Sequence, residues 1–243
     1  MISLEEVKLK GRKRNEVKNK RLHFFGSLFS IYFSWLFINC RLSANAVTGL
    51  FFLTGLCSTA FFLNSDLVFV IIGYSLWRLH IIFDICDGEV ARFTKKFSIN
   101  GAYWDYMIHS ILYPLVYVSI CFAMYEKFDD IKFLILALFG SIVVSQTLSV
   151  KNNYYRAMLF NNEKLDKISS TKKTSLLGNR LISLFIGSLS IEGFLLIYVI
   201  LSILEVPKEI YLITFCLFTT TFLLQVLVKF ILFSKKIFHI KRN

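Results

Sequence analysis

Residues 67–96 read LVFVIIGYSLWRLHIIFDICDGEVARFTKK. The part from 67 to 86 is mostly apolar and, at about 20 residues, long enough to cross a bilayer as one helix. It runs into a cluster holding Asp84, Asp87 and Arg92. Charge at membrane depth is costly unless it lines a cavity or binds something, so the cluster marks a functional site.

The rest of the chain agrees with a membrane setting. Of 243 residues, 56% are hydrophobic and 16% aromatic, and only two are proline. Long uncharged runs of this kind exclude an ordinary soluble domain. Six spans are expected, at 46–63, 67–86, 101–125, 132–150, 181–204 and 209–233. No cleavage site follows the first apolar run, so the N-terminus is expected to stay in the mature protein. The cysteines at 40, 57, 86, 121 and 216 stand singly, which suggests neither a disulfide framework nor a zinc site.

Charge orients the spans. Residues 1–21 form a basic tail, and the loops at 87–100 and 151–180 hold Arg92, Lys95, Lys96, Lys151, Arg156, Lys164, Lys167, Lys172, Lys173 and Arg180. The opposite connections carry just Lys127 and Lys208. The positive-inside rule then places both termini and the charged cluster at the cytoplasmic face of the cell membrane. A seventh span at 22–39 would break that asymmetry, so this segment reads as an interfacial helix, with a tilted or re-entrant segment as the competing form. The expected fold is all-α and integral to the membrane, one domain over 1–243, with a six-helix bundle at 46–233. The net charge of +12 flanks apolar runs and suits anionic lipid, with no nucleic acid as partner.

On a continuing helix, Asp84, Asp87, Gly88 and Ala91 share one face, and Gly101, Asp105 and His109 share a face of the next. Two antiparallel helices can thus bring three carboxylates and an imidazole to one point. Small residues at 88, 91 and 101 let the backbones approach. Clustered carboxylates call for a cation, and oxygen ligands favour Mg²⁺ or Mn²⁺, which commonly take substrate phosphates. A phosphate or diphosphate site follows.

The stretch resembles the signature of the CDP-alcohol phosphotransferase (CDP-alcohol phosphatidyltransferase) family, D-x2-D-G-x2-A-R-x8-G-x3-D-x3-D. Asp84, Asp87, Gly88, Ala91, Arg92, Gly101 and Asp105 fill it, and His109 stands where the last aspartate belongs. SANAVTG at 43–49 is similar to the family's P-N-x-[VL]-T element, retaining Asn45 and Thr48, with Ala44 replacing proline. Beyond residue 110 the resemblance carries no specific residue.

The resemblance implies a metal-dependent transferase of phospholipid biosynthesis that moves a phospho-alcohol or phosphatidyl group from a CDP-linked donor to a hydroxyl acceptor and releases CMP. Asp84, Asp87 and Asp105 would hold one or two ions. Asn45, Thr48, Gly88, Ala91, Arg92 and Gly101 would surround the nucleotide. The donor would be CDP-diacylglycerol or a CDP-alcohol, and a homodimer is a further expectation. The family's last aspartate deprotonates the acceptor, so the catalytic pair here would be Asp105 and His109. A neutral imidazole can serve as that base, but it is an uncharged nitrogen donor and holds a second Mg²⁺ less well. An inactive relative acting as a scaffold stays open, as does an ion-coupled transporter.

Three further features have a bland reading beside the functional one. His80 lies one turn before Asp84 and either orients it or is simply satisfied by a neighbour. Arg78 needs a partner or a route to the interface. Lys151 to Arg156, KNNYYR, reads either as an acceptor site or as snorkelling and an aromatic belt.

Overall fold

The computed structural model describes residues 2–12, 24–160 and 190–240. Among the described residues the protein is all-helical, with α1 (Leu4–Gly11), α2 (Phe24–Asn39), α3 (Ala44–Phe61), α4 (Leu67–Thr94), α5 (Ile99–Phe128), α6 (Lys132–Phe160), α7 (Ile191–Ile203) and α8 (Lys208–Ile240). Five of these, α3, α4, α5, α6 and α8, are long and apolar enough to cross a membrane. The chain is a multi-pass membrane protein. The expected span at 181–204 begins outside the described residues, as does the loop at 161–180; within the span, α7 accounts for 13 residues.

Helix ends depart from the expected spans where polar residues continue the helix. α4 runs eight residues past Cys86 to Thr94, so the connection to α5 is only residues 95–98, with Lys95 left-handed at φ 55°. α6 likewise continues through Lys151–Arg156 to Phe160. In that continuation Tyr154 is buried and stacks on Phe233 at 4.4 Å. Pro114 lies inside α5.

The basic tail contains a helix that composition did not announce. Ser3 caps α1 by accepting from the Glu6 N–H, Glu5 and Glu6 sit in its first turn, and Lys8 and Lys10 in its last. Its start is tied to α2: the Ile2 N–H donates to Asn39 Oδ1 at 2.9 Å, and Trp35 Nε1 donates to the Ile2 carbonyl at 2.8 Å. Val7 is fully buried beneath it.

α3 packs along α4, α5 along α6, and α6 along α8. Ser58 Oγ donates to the Gly73 carbonyl at 2.7 Å across the α3–α4 seam. Gly55 makes the close packing possible, because a Cβ there would overlap Leu112 Cδ1 of α5 and fall 2.7 Å from His80 Nδ1. Alanine at Gly55 must push His80 from its bond to the Phe51 carbonyl, and a loss of about 1–3 kcal/mol is expected, read as a lower denaturation midpoint in micelles. On the other side, Tyr117, Phe194, Phe215 and Tyr211 form a buried aromatic core, and Tyr117 Oη meets Thr219 Oγ1 at 2.7 Å.

Candidate metal and phosphate site

The signature lies on facing turns of α4 and α5. Asp84 lies in the C-terminal half of α4, and helical periodicity puts Asp105 and His109 on successive turns of α5. One ligand atom from each of Asp84, Asp105 and His109 lies within 4.8 Å of the others. His109 Nε2 sits between the carboxylates, 3.4 Å from Asp84 Oδ1 and 3.2 Å from Asp105 Oδ1. Close as they are, Asp105 Oδ1 is buried and receives no aligned hydrogen bond, and His109 Nδ1 is likewise buried without a partner. Two carboxylate oxygens and an imidazole nitrogen converging with an unsatisfied oxygen among them form a donor set that suits a divalent cation. The same residues suit a protonated imidazole as an internal counter-ion.

Asp87 is not one of these three and bonds to α3. Its Oδ2 accepts from Thr48 Oγ1 at 2.9 Å, and the same hydroxyl lies 3.1 Å from the Ala44 carbonyl, so one proton serves two acceptors. Asn45 acts at the neighbouring loop: its Oδ1 accepts from Ser98 Oγ at 3.3 Å. Ser98 in turn caps α5 by accepting from the Gly101 N–H at 2.8 Å. A Cβ on Gly101 would lie 3.1 Å from Ser98 Oγ and 3.4 Å from Asn45 Oδ1, so glycine allows the three to meet. The 43–49 element and the signature are thus one assembly at the same end of the bundle.

Gly88 leaves room for Arg92 one turn on, whose Nη1 lies 3.0 Å from where a Cβ would stand. Ala91 is half-buried on the same helix.

His80 does not bond Asp84. It is fully buried, and its Nδ1 pairs with the Phe51 carbonyl at 2.8 Å. A carbonyl only accepts, so Nδ1 carries the proton and Nε2 faces the interior without a partner. Arg78 finds its counter-charge on α7, with Nη1 3.2 Å from Glu192 Oε2. Sequence reasoning missed Glu192, and it missed Glu89, a carboxylate only 1% exposed. Each is an acidic residue in or beside an apolar run, the one signal that could have drawn attention to it.

No protein-family model matches the chain. Over 107 residues it is 29% identical to the bifunctional IPC transferase and DIPP synthase of Archaeoglobus fulgidus. The stretch is 44% of this chain and 20% of that protein, so the chain spans about a fifth of the relative's length. At a distance, then, the chain is related to a protein named for transferase and synthase activities.

Proposed function

We propose that the protein is a membrane transferase that moves a phospho-alcohol or phosphatidyl group from a CDP-linked donor to an acceptor hydroxyl, releasing CMP. The observation that carries this reading is the convergence of Asp84, Asp105 and His109 within 4.8 Å on the two helices that bear the signature. The distant relative's transferase name supports it at the level of reaction class.

Asp84, Asp105 and His109 would hold Mg²⁺ or Mn²⁺, with Asp87 close by. When bound, such an ion neutralises charge on the diphosphate and on the departing CMP oxygen. The chain's own residues do the rest. Thr48 holds Asp87 in one orientation, and Asn45, Ser98 and Gly101 fix the start of α5 so that Asp105 and His109 keep their register. Arg92 offers a planar, permanently charged group to a phosphate. A neutral imidazole has a single lone pair, so His109 accepts the proton of the acceptor hydroxyl only where the carboxylates hold the ion without it.

The charge asymmetry of the loops supports six spans, with the fifth built from 181–204, and supports a cytoplasmic site with both termini on the same side. The same asymmetry favours an interfacial placement of 22–39, because a seventh span would put the basic tail opposite the basic loops.

One observation favours a second reading. His109 already lies between the carboxylates at 3.4 and 3.2 Å, so a protonated imidazole would take the cation's place and leave a binding protein or scaffold.

The deciding experiment offers the purified protein in lipid CDP-diacylglycerol or soluble CDP-alcohols with pooled acceptors, in Mg²⁺, Mn²⁺ or chelator. CMP release that needs the metal and disappears in Asp87→Ala is the expected result. Release absent with every donor, yet gained in His109→Asp, would establish the second reading.

A further inference from the structure

We propose that Glu89 is a positioning residue that latches α1 onto the signature-bearing end of α4, and that the latched α1 sets the plane of the Arg92 guanidinium toward a nucleoside diphosphate. The inference rests on the function proposed above, in which Arg92 lies beside the nucleotide.

Glu89 is 1% exposed, and a buried carboxylate is costly unless donors meet it. Three do. Ser34 Oγ donates to Oε2 at 2.7 Å and Ser30 Oγ to Oε1 at 3.1 Å, both from fully buried serines of α2. Arg12 Nε, just past the end of α1, lies 3.6 Å from Oε1. One side chain of α4 thereby gathers α2 and the end of α1.

The backbone completes the contact. A Cβ on Gly11, the last residue of α1, would lie 3.3 Å from the Glu89 carbonyl oxygen, so the two elements touch. The Gly11 carbonyl is one of the acceptors a helix leaves unpaired at its C-terminus, and Arg92 Nε donates to it at 2.5 Å. With that edge committed, the guanidinium swings over Gly88, its Nη1 at 3.0 Å from a Cβ there. α1 and Gly88 hold Arg92 from two sides. A guanidinium whose plane is set before a diphosphate arrives loses less freedom on binding it.

The test combines hydrogen exchange of residues 4–11 with titration of CDP in Mg²⁺ on the full chain in nanodiscs. Glu89→Leu removes every acceptor; Ser34→Ala removes one donor; Glu89→Gln keeps an acceptor oxygen. In Glu89→Leu, exchange in α1 is expected to quicken and CDP affinity to fall about tenfold. Ser34→Ala should show smaller changes in the same direction, and Glu89→Gln should recover most of both. Exchange in α3 reports the fold, and should it rise in Glu89→Leu, Ser34→Ala carries the test. Unchanged exchange in α1 would overturn the latch. Faster exchange with unaltered CDP affinity would overturn the positioning role. If the unaltered protein binds no CDP, the proposed function and the positioning role fall together, while exchange still decides the latch.

Discussion

Asparagine at Asp105 is expected to lower metal-dependent CMP release by on the order of a thousandfold, the loss seen when one preorganised electrostatic contact to a transition state is removed. The substitution is nearly isosteric and leaves α5 packed as before. It removes the charge of a carboxylate whose Oδ1 is buried, without an aligned donor, 3.2 Å from His109 Nε2. Calorimetric Mn²⁺ binding should weaken in parallel, because one of the three converging ligand atoms is lost. The rate and the metal affinity should therefore move together while the unfolding midpoint stays in place. A drop of less than about tenfold would remove Asp105 from the ligand set. His109→Ala separates the two roles assigned to the imidazole: as a base, its loss abolishes turnover and leaves CDP affinity in place, whereas as a ligand its loss weakens Mn²⁺ too.

The second large effect is on stability. Glu192→Leu should cost about 3–5 kcal/mol, the range found when one partner of a buried ion pair is removed. Glu192 is 6% exposed and Arg78 22%, so leucine at Glu192 strands a guanidinium in apolar surroundings between α4 and α7. Replacing both by leucine should recover most of the loss, since two charges then no longer require desolvation. Unfolding in a denaturing detergent titration gives all three midpoints. If the double variant is as unstable as the single one, the pair contributes no coupling, and the loss belongs to Glu192's other contacts.

The two effects differ in how visible they were beforehand. Asp84, Asp87 and Gly88 on one helix, and Gly101, Asp105 and His109 on the next, could be placed on common faces from their spacing alone. That spacing is local, and an α-helix converts it into direction without help from the rest of the fold. The Arg78–Glu192 pair spans 114 residues, and nothing in either neighbourhood names the other. Asp87 shows the same limit within the signature itself: its place on the helix face was legible, but the hydrogen bond it accepts from Thr48 on α3 was not.

By itself, then, the sequence determined that this is a multi-pass helical membrane protein and which chemistry-bearing residues share a helix face. Apolar length and 3.6-residue periodicity are properties of a single segment, so they need no partner to be read. Only the tertiary structure decided that Asp87 pairs with Thr48, that Arg78 meets Glu192, and that Glu89 turns inward to Ser30 and Ser34 of α2. Those outcomes depend on which helix lies against which face. That arrangement is settled by the packing of the whole bundle, where each buried polar group must find a donor or acceptor on a neighbour distant in the chain.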